Sequence, residues 1–236
     1  MSRPFRRLIL GAGLASILAL LLYQLGLFAM VVWFNFRDPG ATPVMRETLM
    51  TLRSEDPEAM LDYQWVPYER ISTNLKRAVI ASEDTGFTEH DGVEWEAIRK
   101  AWAYNQRQAD LGRDRRRGGS TITQQVAKNL FLSNERSYLR KGQELVLTYM
   151  IEVVMSKARI LELYLNIAQW GRNVFGAQAA ARHYYRGDAT RLSSAQAAQL
   201  AAMLPNPAYY DAHGATRYLR ARSATIQARM RQVDIP

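Results

Sequence analysis

The longest apolar run of the chain lies near its N-terminus. No charged side chain occurs between Leu8 and Phe36, and Leu, Ala, Gly and Phe dominate the stretch. A bilayer core needs roughly 20 apolar residues in a helix that rises about 1.5 Å per residue. The run therefore predicts a transmembrane helix over residues 8–34.

A cleaved signal peptide is the alternative interpretation of this run. The apolar part of a signal peptide is about 7–15 residues long and ends at a cleavage site of small residues. Here the run is longer, and it ends in the aromatic-rich segment Val31–Phe36 with no small-residue site after it. Arg3, Arg6 and Arg7 precede the run, so the positive-inside rule predicts a cytoplasmic segment over residues 1–7 and a domain outside the cytoplasm.

Two changes in pattern follow the apolar run. The turn-rich segment Asp38–Pro43 and the poorly periodic residues after it predict a membrane-proximal linker over residues 35–62, followed by a short strand at Tyr63–Val66. Apolar residues then recur at spacings of three and four, which is the period of an amphipathic helix. Helices are predicted at 74–82, 93–106, 121–131, 137–156, 157–166, 174–185, 193–203 and 214–232. The pattern predicts one mainly α domain over residues 63–236, with little room for a sheet.

The charge of the chain narrows the class of its partners. The formal net charge is +9 and the pI is about 9.9, which favours nucleic acid, anionic lipid or a phosphorylated substrate. A domain outside the cytoplasm seldom meets nucleic acid, so a membrane surface or a pyrophosphate is expected instead. The chain has no cysteine, which excludes thiolate catalysis and Cys-based zinc sites.

The first candidate for chemistry is an acidic segment that follows an apolar helix. Acidic side chains and a histidine crowd residues 83–91. Glu83 comes directly after the apolar stretch, and partial desolvation at a helix end makes a carboxylate a better proton acceptor. A solvated acidic loop is the alternative, and composition alone favours it. His90 without ligand-like spacing argues only weakly for a metal site.

Two basic segments are candidates for binding an anion. Gly118 and Gly119 lead into a hydroxyl-rich helix start at Thr121, and backbone amides at such a start favour phosphate. An ordinary N-cap after a mobile loop over 107–119 explains that pattern equally well. In the next segment a spacing of four places Arg136, Arg140 and Glu144 on one helical face. An exposed Arg–Glu ladder is the alternative, but the apolar turns that follow predict that this helix enters the core. The segments at 157–166 and 171–181 are interpreted as packing elements.

These segments, in this order, resemble the glycosyltransferase domain of peptidoglycan polymerases, the family 51 transglycosylases. The family signatures Glu-Asp-x-x-Phe-x-x-His-x-Gly, Gly-Gly-Ser-Thr-x-Thr-Gln-Gln, Arg-Lys-x-x-Glu and Lys-x-x-Ile-Leu-Glu-x-Tyr-Leu-Asn are matched at Glu83–Gly92, Gly118–Gln125, Arg140–Glu144 and Lys157–Asn166. Any one match alone is weak, but their ordered occurrence over about residues 70–210 favours the functional interpretation of each segment.

The resemblance implies a lysozyme-like, multi-helix fold and a defined reaction. The family polymerises lipid II into β-1,4 glycan strands, inverts the donor anomeric carbon and releases undecaprenyl pyrophosphate. The soluble part has no Ser-x-x-Lys nucleophile, so the chain is similar to the monofunctional members, which are single-pass inner-membrane proteins with a periplasmic catalytic domain. No cofactor is required, and a divalent cation, Mg²⁺ or Mn²⁺, near the pyrophosphate is compatible with the family. The implied partners are lipid II, the growing glycan, inner-membrane lipid and the divisome or other cell-wall synthesis proteins, with no nucleic acid.

The family's functional residues map onto matching positions of this chain. Glu83 takes the place of the catalytic base, and Glu144 is the second catalytic carboxylate. The implied substrate-binding residues are Asp84, Thr121, Gln125, Lys128, Arg136, Arg140 and Lys141. Asp84 is also expected to support Glu83, and Trp102, Tyr104 and Leu111 are expected to face the membrane.

Two rival functions remain open at this point. A lysozyme-like hydrolase would also present a glutamate at the end of a helix, and a non-enzymatic scaffold would need neither Glu83 nor Glu144. An uncharged glycosidic bond gives no reason for clustered lysine and arginine side chains, whereas a pyrophosphate leaving group does.

Overall fold

The computed structural model describes residues 3–114, 118–135 and 137–236, and the side chains from Leu10 onward. Two compact units divide the chain at Arg37 and Asp38. The first unit contains helix α1 (Arg3–Phe36). Within its segment Leu10–Phe36, an 18-residue stretch has a mean hydropathy of 2.3, so this helix is long and apolar enough to cross a bilayer.

The second unit is built mainly from helices. In chain order they are α2 (Pro43–Glu55), α3 (Thr73–Glu83), α4 (Trp95–Asp110), α5 (Ile122–Phe131), α6 (Tyr138–Val154), α7 (Lys157–Ile167), α8 (Ala177–Tyr185), α9 (Ser194–Met203), α10 (Pro207–His213) and α11 (Arg217–Arg229). Short 3-10 helices lie at Tyr68–Arg70, Ala189–Arg191 and Met230–Gln232. The mainly α fold class is confirmed.

The sheet is as small as the sequence pattern predicts. Strands β1 (Asp62–Tyr63) and β2 (Val174–Phe175) pair in parallel, with Asp62 opposite Val174 and Tyr63 opposite Phe175. The first strand begins one residue before the predicted position and ends earlier. This pair joins the segment before α3 to the turn that precedes α8.

One helix lies inside the segment predicted to be a linker. Thr42 caps α2 by accepting a hydrogen bond from the Met45 amide at 3.3 Å, and Pro43 occupies the first turn, where a missing N–H costs nothing. Val44, Met45 and Leu52 are buried. Only these few apolar residues form the buried face of α2. The segment as a whole is therefore polar, and its sequence shows no clear helical period.

The predicted helix at 174–185 is broken by a close backbone approach. Gly176 has a φ of +83°, and a β-carbon there would lie 2.7 Å from the carbonyl oxygen of Asn166. Residues 174–175 are therefore in strand β2, and α8 begins only at Ala177. A glycine is needed at this position because it has no β-carbon and tolerates positive φ.

Helix packing brings the candidate site together. Helix α3 packs against α9, which packs against α11, while α5 packs against both α6 and α7. The largest fully buried side chains include Leu75, Ile80, Ile122, Leu147, Ile151, Ile160, Leu161, Tyr164 and Trp170. These buried side chains form the core beneath the helices, and a hydrogen bond from the Ile122 amide to Asp84 joins the start of α5 to the end of α3.

Candidate active site

Glu83 is the last residue of α3, and neighbours hold both of its carboxylate oxygens. Gln125 on α5 donates from Nε2 to Oε2 at 3.0 Å, and Ser82 donates from Oγ to Oε1 at 3.1 Å. The guanidinium Nη2 of Arg222 on α11 lies 3.9 Å from Oε1. The side chain is 14% exposed, so the carboxylate is fixed in orientation yet still reaches solvent. Each oxygen keeps a lone pair for a proton.

Asp84 joins the end of α3 to the start of α5. Its buried carboxylate accepts a hydrogen bond from the Ile122 amide at 2.9 Å, and its other oxygen lies 2.8 Å from Nε2 of His90. The first amides of a helix have no partner within the helix, so Asp84 satisfies one of them and adds negative charge at the positive end of the dipole. Both oxygens are engaged inside the protein, which favours the supporting role for Asp84 over direct contact with a substrate.

The rest of the first signature forms a locked loop. His90 accepts a hydrogen bond from the Gly92 amide at Nδ1 at 3.0 Å, so its Nε2 carries the proton that Asp84 accepts. Thr121 donates to the carbonyl of Gly92 at 2.6 Å, and Lys157 donates to the carbonyl of His90 at 2.6 Å. Thr121 is itself buried. These side chains therefore hold the loop in place, and both ring nitrogens of His90 are engaged in hydrogen bonds.

Gly92 is expected to be the least replaceable residue of this loop. Its φ is +86°, and a β-carbon would lie 2.6 Å from Cγ of Glu152 and 2.8 Å from Cγ2 of Thr148. Left-handed strain and overpacking each cost about 1–3 kcal/mol, so Gly92→Ala should lower the thermal unfolding midpoint of the full chain. Gly112→Ala is the matched control, because Gly112 has a φ of +65° with open space around it. Equal shifts for the two variants would contradict the steric argument.

A second carboxylate lies among cations on α6. Glu144 is 4% exposed and accepts hydrogen bonds from Nη1 of Arg140 at 2.7 Å and from Nζ of Lys141. Lys141 also donates to Oγ of Ser120 at 3.3 Å, and its side chain is 47% exposed. A buried carboxylate paired in this way holds its cations in a fixed geometry. Glu144 is therefore the counter-ion of this cluster, because a cation contacts each of its oxygens and its side chain is almost completely buried.

Lys128 joins the same cluster from α5. Burial lowers the pKa of Lys128, and the neighbouring charge of Glu144 opposes that effect. Its Nζ donates to Oδ1 of Asn134 at 3.3 Å, and Asn134 is held in turn by the Glu47 carboxylate of α2. A desolvated ammonium group of this kind interacts strongly with an incoming anion. Arg136, which is predicted to bind substrate, lies outside the described residues.

One face of α5 connects the two charged groups. Gln125 and Lys128 are three residues apart, so they are neighbours on the helix surface. Gln125 contacts Glu83, and Lys128 lies near Glu144 and Arg140. A bound molecule can therefore lie along this helix face. One part of it would donate a proton to Glu83, and the cations would hold an anionic part.

The donor set of the cluster does not fit a divalent cation. Each oxygen of Glu144 already accepts a hydrogen bond from a cation, Arg140 or Lys141, so a metal ion bound to Glu144 would lie against two positive charges. Within the described residues, no group of three or more histidine, aspartate or glutamate side chains is placed to hold a metal ion. The positive charge next to Glu144 comes from lysine and arginine.

Two residues of the Glu83 environment were missed at the sequence level. Arg222 donates to Oγ of Ser82 at 3.1 Å, and the hydroxyl of Tyr164 donates to Oε1 of Gln125 at 3.2 Å. Arg222 lies in a segment with no motif, so no local signal could have indicated it. Tyr164 lies within the fourth signature, but its spacing identified only a packing position.

Comparison with known proteins agrees with this geometry. The family described as Transglycosylase matches residues 51–231. The biosynthetic peptidoglycan transglycosylase of Bordetella pertussis is 66% identical over 230 residues, which are 98% of this chain and 95% of the relative. Proteins of the same name from Herminiimonas arsenicoxydans and Laribacter hongkongensis are each 51% identical, over 98% and 95% of this chain and 98% and 97% of their own length.

The resemblance drawn from the ordered motifs is thereby confirmed, and so is the lysozyme-like helical fold class. No transpeptidase domain occurs within these 236 residues. The family match covers most of the chain, and these relatives are well above 30% identical to it, so both findings assign the chain to the same family. The chain belongs to the transglycosylase family and is a glycosyltransferase.

Proposed function

We propose that this enzyme is a peptidoglycan glycosyltransferase that polymerises lipid II into β-1,4 glycan strands. The observation that carries the proposal is the arrangement along α5. A fixed, solvent-reaching carboxylate at Glu83 lies at one point, and the cations Lys128, Arg140 and Lys141 lie further along. Transfer from a sugar pyrophosphate needs a base and an anion-binding site at once. The relatives, which are named peptidoglycan transglycosylases, support it.

The proposed reaction is a direct displacement. Glu83 accepts the proton of the acceptor 4-hydroxyl while that oxygen attacks the anomeric carbon of the donor. The bond between this carbon and the pyrophosphate oxygen breaks, and its electron pair leaves with undecaprenyl pyrophosphate. The α-linked donor becomes a β-linked product, so the configuration inverts. Lys128, Arg140 and Lys141 stabilise the negative charge that develops on the leaving group.

Glu144 has a supporting part in this scheme. It holds Arg140 and Lys141 at fixed positions, which lets the cations meet the leaving group without reorganising. No step is assigned to a divalent cation or to a cofactor. The scheme therefore divides the two carboxylates, with Glu83 as the base and Glu144 as the residue that orients the cations.

Polymer formation from a defined substrate tests the function. Purified full-length protein is incubated with fluorescent lipid II, and the products are separated by length on a gel. Long, lysozyme-sensitive glycan is expected. Absence of polymer would contradict the proposal, and shortening of preformed glycan would favour a hydrolase. Two features favour polymerisation over hydrolysis. The cations Lys128, Arg140 and Lys141 suit a charged leaving group, which the cleavage of an uncharged glycosidic bond does not release. The relatives are also named as biosynthetic enzymes.

The enzyme is proposed to lie in the inner membrane with a periplasmic catalytic unit. The apolar segment of α1 supports anchoring, and Arg3, Arg6 and Arg7, which precede that segment, support a cytoplasmic N-terminus. Lipid II and the growing strand both remain in the bilayer. An anchored enzyme therefore meets them at a raised effective concentration. Other cell-wall synthesis proteins, such as those of the divisome, are proposed as partners by function alone.

Helix α4 is proposed to contact the membrane surface. Trp102 on this helix and Leu111 directly after it are 64% and 60% exposed, and cationic side chains, including Arg99 and Arg107, lie on α4. Exposed tryptophan beside basic residues suits the interface of an anionic bilayer.

Spin labelling tests this contact cleanly, because the chain has no native cysteine. A nitroxide attached through Trp102→Cys in the full-length protein in liposomes should be accessible to oxygen and protected from a water-soluble nickel chelate. The matched control is Tyr218→Cys on α11, since Tyr218 is 63% exposed on a different helix. Equal accessibility of the two labels to nickel would contradict membrane contact by α4.

A further inference from the structure

A buried hydroxyl lies behind the amide that contacts Glu83. Tyr164 on α7 is 1% exposed, and its hydroxyl donates to Oε1 of Gln125 at 3.2 Å. The Nε2 of the same amide donates to Oε2 of Glu83 at 3.0 Å. These two hydrogen bonds form a chain from the core of the domain to the carboxylate assigned as the base.

The chemistry of the groups fixes the direction of this chain. An ionised carboxylate only accepts hydrogen bonds, so Gln125 must present its NH₂ group to Glu83 and its oxygen to Tyr164. Burial, followed by the charges of Glu83 and Asp84, raises the pKa of Tyr164 well above 10.0, so its hydroxyl remains a donor. The carboxylate thus selects the orientation of the amide, and the hydroxyl holds the amide in that orientation from the other side.

We propose that Tyr164 is a positioning residue for Glu83 and that it acts through Gln125. Without the hydroxyl, the amide oxygen of Gln125 loses its donor, and the side chain is held only through its bond to Glu83. The amide can then move together with the carboxylate, and Glu83 leaves the position from which it reaches the acceptor hydroxyl. The inference rests on the proposed function, because it assumes that Glu83 is the base.

The other oxygen of Glu83 is held independently. Ser82 donates to Oε1 at 3.1 Å, and Arg222 donates to Ser82 at 3.1 Å. Loss of the Tyr164 hydroxyl therefore releases one side of the carboxylate and leaves the other in place. A partial loss of turnover is expected from such a change, in contrast to the removal of the base itself.

The ring of Tyr164 has a separate, structural function that phenylalanine retains. The ring is buried in the hydrophobic core on the inner side of α7, where Leu161 and Leu165 are also fully buried. Tyr164→Phe keeps this packing and deletes only the donor. The change therefore separates the positioning effect from the packing effect.

Steady-state kinetics of the full-length enzyme with fluorescent lipid II tests the proposal. Tyr164→Phe should lower kcat by about 10-fold and leave KM within about 2-fold, since a misplacement of about 1 Å at a reacting group can cost up to 100-fold. In a Gln125→Leu background, Tyr164→Phe should change kcat by less than about 2-fold, because residues that act through one another are not additive. A full 10-fold loss in that background would overturn the proposal.

The matched control is Tyr184→Phe. The Tyr184 hydroxyl also makes internal hydrogen bonds, to the Trp170 carbonyl at 2.8 Å and to Asp211 at 3.0 Å, but these lie in another network. Its loss should lower the unfolding temperature without lowering kcat.

The outcomes separate this inference from the proposed function. Polymerisation by wild type, its loss in Glu83→Gln and an unchanged kcat in Tyr164→Phe would overturn the positioning role alone. Absence of polymer from wild type would overturn both. If Tyr164→Phe does not fold, Gln125→Leu tests the same amide directly, and an unchanged kcat in that variant would also overturn the role.

Discussion

A Glu83→Gln variant is expected to lose glycan polymerisation, with kcat lowered by about 10²–10⁴-fold. General acid–base catalysis by a positioned side chain contributes a factor of this size, and an amide cannot accept the proton of the acceptor hydroxyl. The shape of the side chain is retained, and its amide oxygen still accepts a hydrogen bond from Gln125. The loss should therefore appear in turnover, as measured with fluorescent lipid II, with the thermal unfolding midpoint close to that of wild type.

Glu58→Gln is the matched control for this change. Glu58 is exposed in the segment between α2 and β1, so removal of its charge should leave both kcat and stability unchanged. A Glu83→Gln enzyme that keeps a kcat within about tenfold of wild type would mean that another group removes the proton. A large fall in unfolding temperature would instead assign Glu83 a structural role.

The local parts of this site were predictable from sequence. Thr121 and Gln124 form the capping box expected at the start of α5, and Glu83 ends α3 where the apolar periodicity stops. The spacing of four between Arg140 and Glu144 produced the observed ion pair. Each of these features depends on neighbours within one or two helical turns, so the sequence pattern contains the information.

The parts that depend on tertiary packing were not predictable. Arg222 comes within 3.9 Å of Glu83 only because α11 packs near the end of α3, and the sequence separation of these residues is large. Asp84 caps a helix that begins 38 residues later. The environment of Lys128 includes Asn134 and Glu47, which lies in the helix α2 that the sequence pattern did not indicate. Contacts of this kind leave no periodic signal.

Helix α5 explains how both charged groups are held in one geometry. Its N-terminus is fixed by the Asp84 carboxylate and by the bond from Thr121 to the Gly92 carbonyl. Its exposed face then presents Gln125 to Glu83 and Lys128 to the Glu144 cluster. Substitutions at the α5 start should therefore change both groups together, whereas substitutions on its face should separate base function from anion binding.

Lys128→Met is expected to make that separation visible, with kcat lowered by about 10²–10³-fold. Removal of one preorganised group that stabilises developing negative charge costs a factor of this size. The free energy of unfolding should rise or remain unchanged, although kcat falls. Burial lowers the pKa of Lys128 below 10.5, so at neutral pH the folded chain carries a cost for the charged form that the unfolded chain does not.

Methionine occupies a similar volume without that charge, so the unfolding temperature of Lys128→Met should equal or exceed that of wild type. The difference in stability should shrink as pH rises toward 10.5, because the cost in wild type disappears when the folded state releases its proton. Arg231→Met, which removes an exposed positive charge after α11, is the control and should change neither quantity. If Lys128→Met loses both stability and activity, this lysine supports the structure of the cation cluster. If it loses activity alone, the lysine stabilises the charge of the departing pyrophosphate.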